Sequence, residues 1–489
     1  MDRRRIIPRT MSTQHPDNVV VPFFAGSQDM SGEDEIQEAY YVFSHLLCHE
    51  QMWDCEGKEV DDFVVRKLLT QYGHFFGLKR LGRDVFLTLR VPNPTVEHTE
   101  GKVLIETLES IPRSFDAVRL LYGEDVAPIF EVILPMTTSH KCLNRVYYFY
   151  RDFVVGRQTM PFFPGDIAIA EWVGEFRPEE IRVIPLFEDR DHMLKAAAIL
   201  CRYLENKPFR YQRVFLARSD PALNYGMISA VLLNKVALQR LAVLEKETGV
   251  EIYPILGVGT APFRGNLKPH TVERLLAEYP DVQTFTIQSA FKYDYPVAEV
   301  AEAIRKSNEA PRGKGVEVDE ERCLRIIDHV ARRYAEEVRL LAPVVNYMAP
   351  AVPQRRRRKL HVGLFGYARQ TAGVSLPRAI TFCAACYSIG LPPEFLGCAG
   401  LGREDLAYLR SVYRHLDRDL EEAMAYLNEE VFELLPDLKG SLPTEFYPSR
   451  TDQEHRRITS RILRGLKEGR RDVLPALILE AGYLRGFLG

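Results

Sequence analysis

Short apolar runs recur along this chain and alternate with longer amphipathic stretches. Seven of these runs are typical of buried β-strands: DVFLTLRV (84–91), APIFEVILPM (127–136), IRVIPLFE (181–188), RVFLARSD (213–220), EIYPILGVGT (251–260), QTFTIQSAF (283–291) and LHVGLFGY (360–367). Helix-like stretches lie between them at 190–206 and at 227–249, and the second ends at Gly249, a residue that commonly terminates helices. This alternation predicts a parallel sheet rather than a sandwich.

Seven strands, with one more that the pattern does not locate, predict an eight-stranded (β/α) TIM-like barrel with many additional helices. From about residue 401 onward the pattern is mainly helical. We therefore expect one catalytic α/β-barrel domain over 1–489, with 401–489 a mainly helical C-terminal extension packed on it. Residues 310–321 are predicted to be an exposed loop.

Composition narrows the class of protein. The chain has 489 residues, 46% of them hydrophobic, which is enough for a large core, and its formal net charge is −3. Eight irregularly spaced cysteines favour a reducing cytoplasm over a disulfide scaffold. No apolar h-region follows the basic start MDRRRIIPRT, and the longest apolar runs look strand-sized. We therefore expect a cytoplasmic protein without a secretory signal or membrane span.

Polar residues cluster where the predicted strands end. Glu188, Asp220, Gln288, Arg369 and the GVGTAPFRGN loop (257–266) all lie at or just after a strand. In an α/β barrel these ends form one face, where active sites are built. Charged residues also mark where strands meet solvent, but so many such positions together favour a site.

Two of these residues are candidate metal ligands. Glu188 and Asp220 end consecutive predicted strands, and neighbouring strands lie about 4.8 Å apart. Two carboxylates with water and a substrate oxygen are typical of a Mg²⁺ or Mn²⁺ site. The alternative is that both acids cap the helices that follow. Spacing alone leaves both interpretations open.

Four arginines are candidates for binding an anionic substrate. They are Arg90, at the end of the first clear strand, Arg264, in the glycine-containing loop, and Arg369 and Arg378, around QTAGVSLP. Arginine suits two-point binding of carboxylate and phosphate. Together they indicate a small substrate carrying both groups, although each alone is more typical of a surface ion pair.

Three further patterns point to less specific roles. CAAC (383–386) lies in an apolar helix-like run and is more typical of buried thiols than of a zinc site. HLLCHE (45–50) spaces His45 and His49 as on one helical face, without an evident third metal ligand. The run RRRRK (355–359) is interpreted as a solvated loop rather than a nucleic-acid contact, because the overall charge is balanced and no aromatic residues are interleaved.

Motifs in order along the chain make a family resemblance specific. They are TMSTQHPDN (10–18), HEQMWDCEGKEVD (49–61), IPLFED (184–189), LARSDPALNYGM (216–227), PILGVGTAPFRGNLKP (254–269), TIQSAFKYDYP (286–296) and GYARQ…SLPRAI (366–380). Over nearly its whole length the chain resembles the archaeal-type phosphoenolpyruvate carboxylases. That resemblance implies an α/β barrel that forms oxaloacetate and phosphate from phosphoenolpyruvate and bicarbonate with Mg²⁺ or Mn²⁺.

The resemblance also implies residue roles. His15 and Arg264 match catalytic positions, Glu188 and Asp220 match the metal ligands, and three arginines match substrate-binding positions: Arg90, less securely than the others, Arg369 and Arg378. It further implies a homotetramer. From the balanced charge and the strand-sized apolar runs we expect neither nucleic acid nor membrane as partner. Two alternatives stay open from the residues alone: another barrel enzyme acting on phosphoenolpyruvate or pyruvate, and a nucleic-acid-binding protein using the basic runs.

Overall fold

A computed structural model of the chain describes residues 6–55, 61–357, 369–371, 373–442 and 451–489, with the backbone alone at 369–371. Eight parallel strands form a closed barrel in chain order. They are β1 (Thr10–Ser12), β2 (Glu50–Asp54), β3 (Phe86–Arg90), β4 (Glu131–Leu134), β5 (Arg182–Phe187), β6 (Tyr211–Ala217), β7 (Glu251–Gly257) and β8 (Thr284–Ile287). The barrel closes where β1 pairs with β8, with Met11 opposite Thr286.

The predicted barrel is confirmed, and six of the seven predicted strands are β3 to β8. The seventh, 360–367, lies outside the described residues, and the barrel closes without it. The two strands that the hydrophobic pattern missed are β1 and β2. Their sequences, TMS and EQMWD, are short and mix apolar with polar residues, so neither forms a continuous apolar run. Thr10 and Glu50 bind polar partners, whereas Met11 and Met52 pack in the barrel interior.

Helices surround the barrel and follow it in the chain. They are α1 (Glu33–Ser44), α2 (Val64–Gln71), α3 (Gly73–Leu78), α4 (Gly101–Tyr122), α5 (His140–Tyr148), α6 (Ile169–Val173), α7 (Arg190–Leu194), α8 (Ala196–Leu204), α9 (Ser219–Tyr225), α10 (Met227–Thr248), α11 (Val272–Glu278), α12 (Ser289–Tyr293), α13 (Val297–Glu309), α14 (Glu320–Met348), α15 (Ala379–Ser388), α16 (Arg403–Val412), α17 (Leu416–Met424), α18 (Gln453–Lys467) and α19 (Leu474–Arg485). A small antiparallel hairpin, β9 (Arg369–Thr371) and β10 (Val374–Leu376), precedes α15. The described part of 401–489 is mainly helical, as predicted.

The longest apolar helix of the barrel is α10. It ends at Gly249 in the left-handed conformation, as the sequence predicts. The expectation that all apolar runs are strand-sized is wrong here, because α10 is long and apolar enough to cross a membrane. However, 78% of its most apolar window is buried inside the fold. Its hydrophobicity is therefore that of a helix packed in the protein core.

The barrel interior has an apolar layer and a charged layer. The apolar layer contains Met11, Met52, Ile133, Ile184, Leu186, Phe215, Ala217 and Ile255. Below it, towards the amino ends of the strands, the buried Arg213 guanidinium binds Glu50 at 2.6 Å and Glu131 at 2.9 Å. This buried pairing of one cation with two carboxylates explains why β2, β4 and β6 carry charged residues.

The structure corrects the interpretation of the arginine run. Arg355 and Arg356 are buried, and Arg356 binds Glu35 and Glu38 of α1. These two residues therefore do not form a solvated loop. Residues 358–359 of the run lie outside the described residues.

The histidine pair is also corrected, whereas the cysteine and loop predictions are confirmed. Helix α1 ends at Ser44, so His45 and His49 do not share a helical face. Cys383 and Cys386 are fully buried in α15, and all eight cysteines are free thiols. Residues 310–319 form the predicted loop, while 320 and 321 already belong to α14.

Candidate active site

The carboxyl ends of β1, β2 and β3 bring two candidate groups, His15 and Arg90, to one face of the barrel. The chain leaves β1 through Thr13, Gln14 and His15, and the Gln14 side chain accepts the backbone N–H of Asp54 at the end of β2 (3.0 Å). This contact fixes the start of the QHPD segment over the barrel mouth. His15 is half-buried there.

The His15 ring is oriented by the residue at the end of β1. Its Nδ1 lies 2.8 Å from the Thr13 hydroxyl oxygen. A neutral ring that donates Nδ1–H to this oxygen carries its basic lone pair on Nε2. The backbone of His15 is held as well, because its carbonyl accepts the N–H of Ser289 at 3.2 Å, just after β8.

Arg90 is held by an acid from the neighbouring strand. Asp54 and Arg90 are opposite each other at the ends of β2 and β3, and Arg90 Nε donates to Asp54 Oδ1 at 3.1 Å. Both side chains are largely buried. This pairing fixes the guanidinium at the barrel mouth, two strands away from Gln14.

Glu188 follows β5 and reaches across to the end of β4. Its Oε2 accepts the backbone N–H of Met136 at 2.7 Å. Met136 has φ = 48°, a left-handed conformation that is uncommon for a residue with a side chain. The helix cap predicted as the alternative role is taken by the next residue, since Asp189 accepts the N–H of His192 at the start of α7 (3.0 Å).

Asp220 follows β6 and lies in the first turn of α9. Strands β5 and β6 are adjacent in the barrel, and both acids are half-buried. Among the described residues, no group of three or more His, Cys, Asp or Glu side chains is arranged to hold a metal ion. Two partly exposed carboxylates at neighbouring strand ends fit Mg²⁺, which binds oxygen and keeps several waters or substrate oxygens as ligands.

The loop after β7 folds onto itself around Arg264. The N–H of Gly259 donates to the carbonyl of Arg264 at 2.9 Å, and the N–H of Leu267 donates to the carbonyl of Gly259 at 3.0 Å. Gly259 lies directly under the guanidinium, where a Cβ atom would be 2.7 Å from Arg264 Cζ. Only glycine therefore lets the loop backbone approach the side chain so closely.

The Arg264 guanidinium is buried and bound on three sides. Its Nε donates to Ser219 Oγ at 3.2 Å, Nη1 donates to Asp17 Oδ2 at 3.2 Å and to the carbonyl of Gly489 at 2.7 Å, and Nη2 donates to the Gln288 side chain. Burial raises the pKa of Asp17, while Arg264 and the N–H of Ala290 act in the opposite direction. One N–H of Nη2 has no partner among the described residues.

The other two predicted arginines are less closely connected to these groups. The backbone of Arg369 lies in β9, opposite Leu376, and its side chain is outside the described part of the structure. Arg378 is exposed and precedes α15, one turn before Phe382, whose ring packs on Phe263. The structure thus brings Arg378 to the helix that supports the Arg264 loop.

Comparison with known proteins identifies the family. Residues 7–489 match the family model described as phosphoenolpyruvate carboxylase. The chain belongs to the phosphoenolpyruvate carboxylase family. Two curated relatives with that name align with 99% of this chain and are themselves covered completely. The protein of Methanothermobacter thermautotrophicus is 55% identical, and that of Methanospirillum hungatei is 53% identical. The protein of Pyrococcus abyssi is 49% identical and also covered completely. The sequence-based expectation of an enzyme of this family is confirmed.

Sequence reasoning missed the residues that hold the family's predicted catalytic groups. Asp17 lies inside QHPDN and Asp54 inside HEQMWD, yet neither was assigned a role. Glu394, which contacts the Arg264 loop, lies in LPPEFLG, outside every motif. The partner of Asp17 is 247 residues away and that of Glu394 is 131 residues away, so the sequence near either acid does not show that it is buried against a partner.

Proposed function

We propose that this chain forms oxaloacetate and phosphate from phosphoenolpyruvate and bicarbonate at the carboxyl end of its barrel. The observation that carries this proposal is that family membership coincides with five candidate groups at the ends of strands that meet on one face of the barrel. These groups are His15, Arg90, Glu188, Asp220 and Arg264. Each follows a different strand, so the substrate would be enclosed by separate, rigid elements.

The first step joins two anions and therefore needs positive charge. A bicarbonate oxygen attacks phosphorus, the bond from phosphorus to the enol oxygen breaks, and carboxyphosphate and the enolate of pyruvate result. Arg90, Arg369 and Arg378 would bind the phosphate and carboxylate of phosphoenolpyruvate, because guanidinium groups offer paired donors to both. Because Arg90 is buried against Asp54, its guanidinium is already held in position before the substrate binds.

Glu188 and Asp220 would hold Mg²⁺ or Mn²⁺. When bound, the metal supplies positive charge that stabilises the developing enolate oxygen. The support for this assignment is the oxygen-only donor set, the adjacent strands and the partial exposure of both acids. The contact of Glu188 Oε2 with the N–H of Met136 fixes this carboxylate at the end of the strand.

His15 would act in the second step. Carboxyphosphate splits into CO₂ and phosphate once its carboxyl proton is removed, and His15 Nε2 would accept that proton while Nδ1–H stays on Thr13. The enolate carbon then attacks CO₂ to give oxaloacetate. The remaining Nη2 N–H of Arg264 would bind carboxyphosphate in a region shielded from water, since Arg264 is only 2% exposed.

The decisive experiment measures oxaloacetate by coupled reduction to malate, with Mg²⁺ and with or without bicarbonate. Bicarbonate-dependent product supports the proposal. Metal-dependent release of phosphate without oxaloacetate would assign the chain to another reaction on the same substrate and would overturn the proposal.

We further propose a cytoplasmic homotetramer built from one catalytic domain with 401–489 packed on it, with neither nucleic acid nor membrane as partner. Support for the packing comes from Asn266 in the Arg264 loop, which donates to Asp419 of α17 at 2.7 Å. Support for a reducing compartment comes from the eight free thiols. Analytical ultracentrifugation tests the assembly, and a dimer or monomer at cellular concentrations would contradict it.

A further inference from the structure

The backbone of Phe263, directly before Arg264, is held at both of its polar groups by buried charged side chains. Its N–H donates to Glu394 Oε1 at 2.6 Å, and its carbonyl accepts from Arg218 Nη1 at 3.2 Å. Glu394 is fully buried and Arg218 is 1% exposed. Buried ionisable groups are costly in a fold, so two of them meeting at one residue of a loop require an explanation beyond packing.

Glu394 is presented by a rigid segment. It lies in a 3₁₀ turn, Pro393–Phe395, that follows Pro392 and precedes Gly397. Gly397 has φ = 87°, and a Cβ there would be 2.8 Å from the carbonyl oxygen of Val330. A proline pair before the acid and a glycine locked against α14 after it leave the carboxyl group little freedom to move.

The Glu394 carboxyl group is engaged unevenly. Oε1 accepts both the N–H of Phe263 and the Tyr387 hydroxyl, each at 2.6 Å, whereas Oε2 is buried without a hydrogen-bond partner among the described residues. Both bonds thus depend on one oxygen whose position is set by the turn. A purely structural acid would more often satisfy both oxygens.

Arg218 connects the same loop residue to the candidate metal side of the barrel. It follows β6 and precedes Ser219, which accepts Arg264 Nε, and Asp220. No carboxylate lies within ion-pair distance of Arg218 in the described part of the chain. Its Nη1 donates to the Phe263 carbonyl, so its charge stabilises the loop backbone.

We propose that Glu394 is a positioning residue for the reaction: by fixing the Phe263 N–H against Arg218, it holds Arg264 in the geometry that the carboxylation step requires. This inference rests on the role given to Arg264 under the proposed function. Glu394 binds the Phe263 N–H and the Tyr387 hydroxyl, so its effect would reach the chemistry through the backbone of residues 263 and 264. Groups that support reacting side chains in this way typically contribute 10- to 100-fold to activity.

Four variants test this role by steady-state kinetics with the full chain, phosphoenolpyruvate, bicarbonate and Mg²⁺. Glu394→Leu removes the acceptor, Glu394→Asp keeps the charge but withdraws it from Phe263, and Glu394→Gln keeps the acceptor without the charge. Tyr387→Phe is the matched control, because it removes the other hydrogen bond to the same oxygen. Thermal unfolding of each variant separates loss of the fold from loss of activity.

We expect Glu394→Leu and Glu394→Asp to lower kcat by about 10- to 100-fold, with KM for phosphoenolpyruvate within about threefold of the parent value. Glu394→Gln and Tyr387→Phe should keep kcat within about threefold. Equal kcat in Glu394→Asp, Glu394→Gln and the parent would overturn the proposal, even if Glu394→Leu fails to fold. So would a loss confined to KM.

A double-mutant cycle with Arg264→Lys separates this inference from the proposed function. If Glu394 acts through Arg264, Glu394→Asp should cause little further loss of kcat in the Arg264→Lys background. Full additivity of the two losses would overturn the positioning role while leaving Arg264 in the reaction. Normal turnover by Arg264→Lys and Arg264→Ala would instead contradict the function proposed for Arg264, and with it the basis of this inference.

Discussion

Arg264 and Asp17 form a buried ion pair of 3.2 Å between residues 247 positions apart in the chain. Asp17 belongs to the segment that follows β1 and carries His15, whereas Arg264 belongs to the loop that follows β7. The pair therefore holds together the segment of His15, which is proposed to accept the proton, and the loop of Arg264, which is proposed to bind carboxyphosphate. The Ala290 N–H, which binds the other oxygen of Asp17 at 2.7 Å, adds the segment after β8.

Asp17→Asn should destabilise the fold because it leaves the Arg264 charge buried without its acid. Breaking a buried ion pair typically costs about 3–5 kcal/mol, and we expect the free energy of unfolding in urea to fall by that order. Arg305→Gln is the control, since Arg305 binds Glu302 and Glu309 on an exposed helix face and should change stability by less than about 1 kcal/mol. Equal losses of unfolding free energy in the two variants would contradict the stabilising role of the ion pair between Asp17 and Arg264.

Glu188→Gln and Asp220→Asn should abolish carboxylation while leaving the fold intact. Each variant removes a negative charge from the candidate metal pair, so metal-dependent turnover should fall by at least about 100-fold. The matched control is Asp189→Asn, next to Glu188, which keeps an oxygen acceptor at the cap of α7 and should leave stability and turnover close to the parent values. Retained activity with unchanged metal dependence in both site variants would contradict the metal assignment.

His15→Asn should bind phosphoenolpyruvate but stall carboxylation, because an amide cannot accept the carboxyl proton. Removal of a general base typically costs 10²- to 10⁴-fold, and we expect kcat to fall within that range. Substrate binding is followed by calorimetry, and turnover by oxaloacetate formation. Normal turnover in this variant would remove His15 from the mechanism, and loss of substrate binding alone would make it a binding residue.

Glu394 should make stability depend on pH. Burial raises the pKa of Glu394 from 4.5 to about 7. The hydrogen bonds from Tyr387 and Phe263 lower it, but they offset only part of the effect of burial. The folded protein keeps this proton between those two pH values while the unfolded chain loses it, so stability falls as pH rises from about 4.5 to 7. The titratable groups around the carboxyl include Tyr387, Lys268 and Arg485, together with three cysteines: Cys383, Cys386 and Cys398.

Glu394→Gln, which cannot ionise, should remove this dependence. As pH rises from 5 to 8, the variant should gain stability relative to the parent by at most about 3 kcal/mol. This limit follows from about 1.4 kcal/mol for each tenfold change in proton affinity. Urea unfolding at pH 5 and pH 8 measures the difference. A parallel pH response in the two proteins would assign the titration to another group.

Hydrophobic periodicity was sufficient to predict the barrel, because β3 to β8 have apolar faces that must be buried between barrel and helices. Residue type and strand pattern predicted that Glu188, Asp220, Gln288 and Arg264 follow strands of the barrel, and the structure places all four there, since parallel strands end on one face. The ordered motifs predicted the family. The hydrophobic pattern did not reveal β1 and β2. Thr10 and Glu50 in these strands are stabilised by polar partners from distant segments, which leave no apolar pattern in the sequence.

Only the tertiary structure decided which residues hold the reacting groups. Arg355 and Arg356 look solvated in the sequence, yet they are buried because α1 supplies Glu35 and Glu38 as partners of Arg356. Asp54, Asp17 and Glu394 gain their roles from partners brought close by barrel closure and by the packing of α15. A charge buried between segments far apart in the chain has no local signature, because the partner that makes its burial tolerable exists only once the chain has folded.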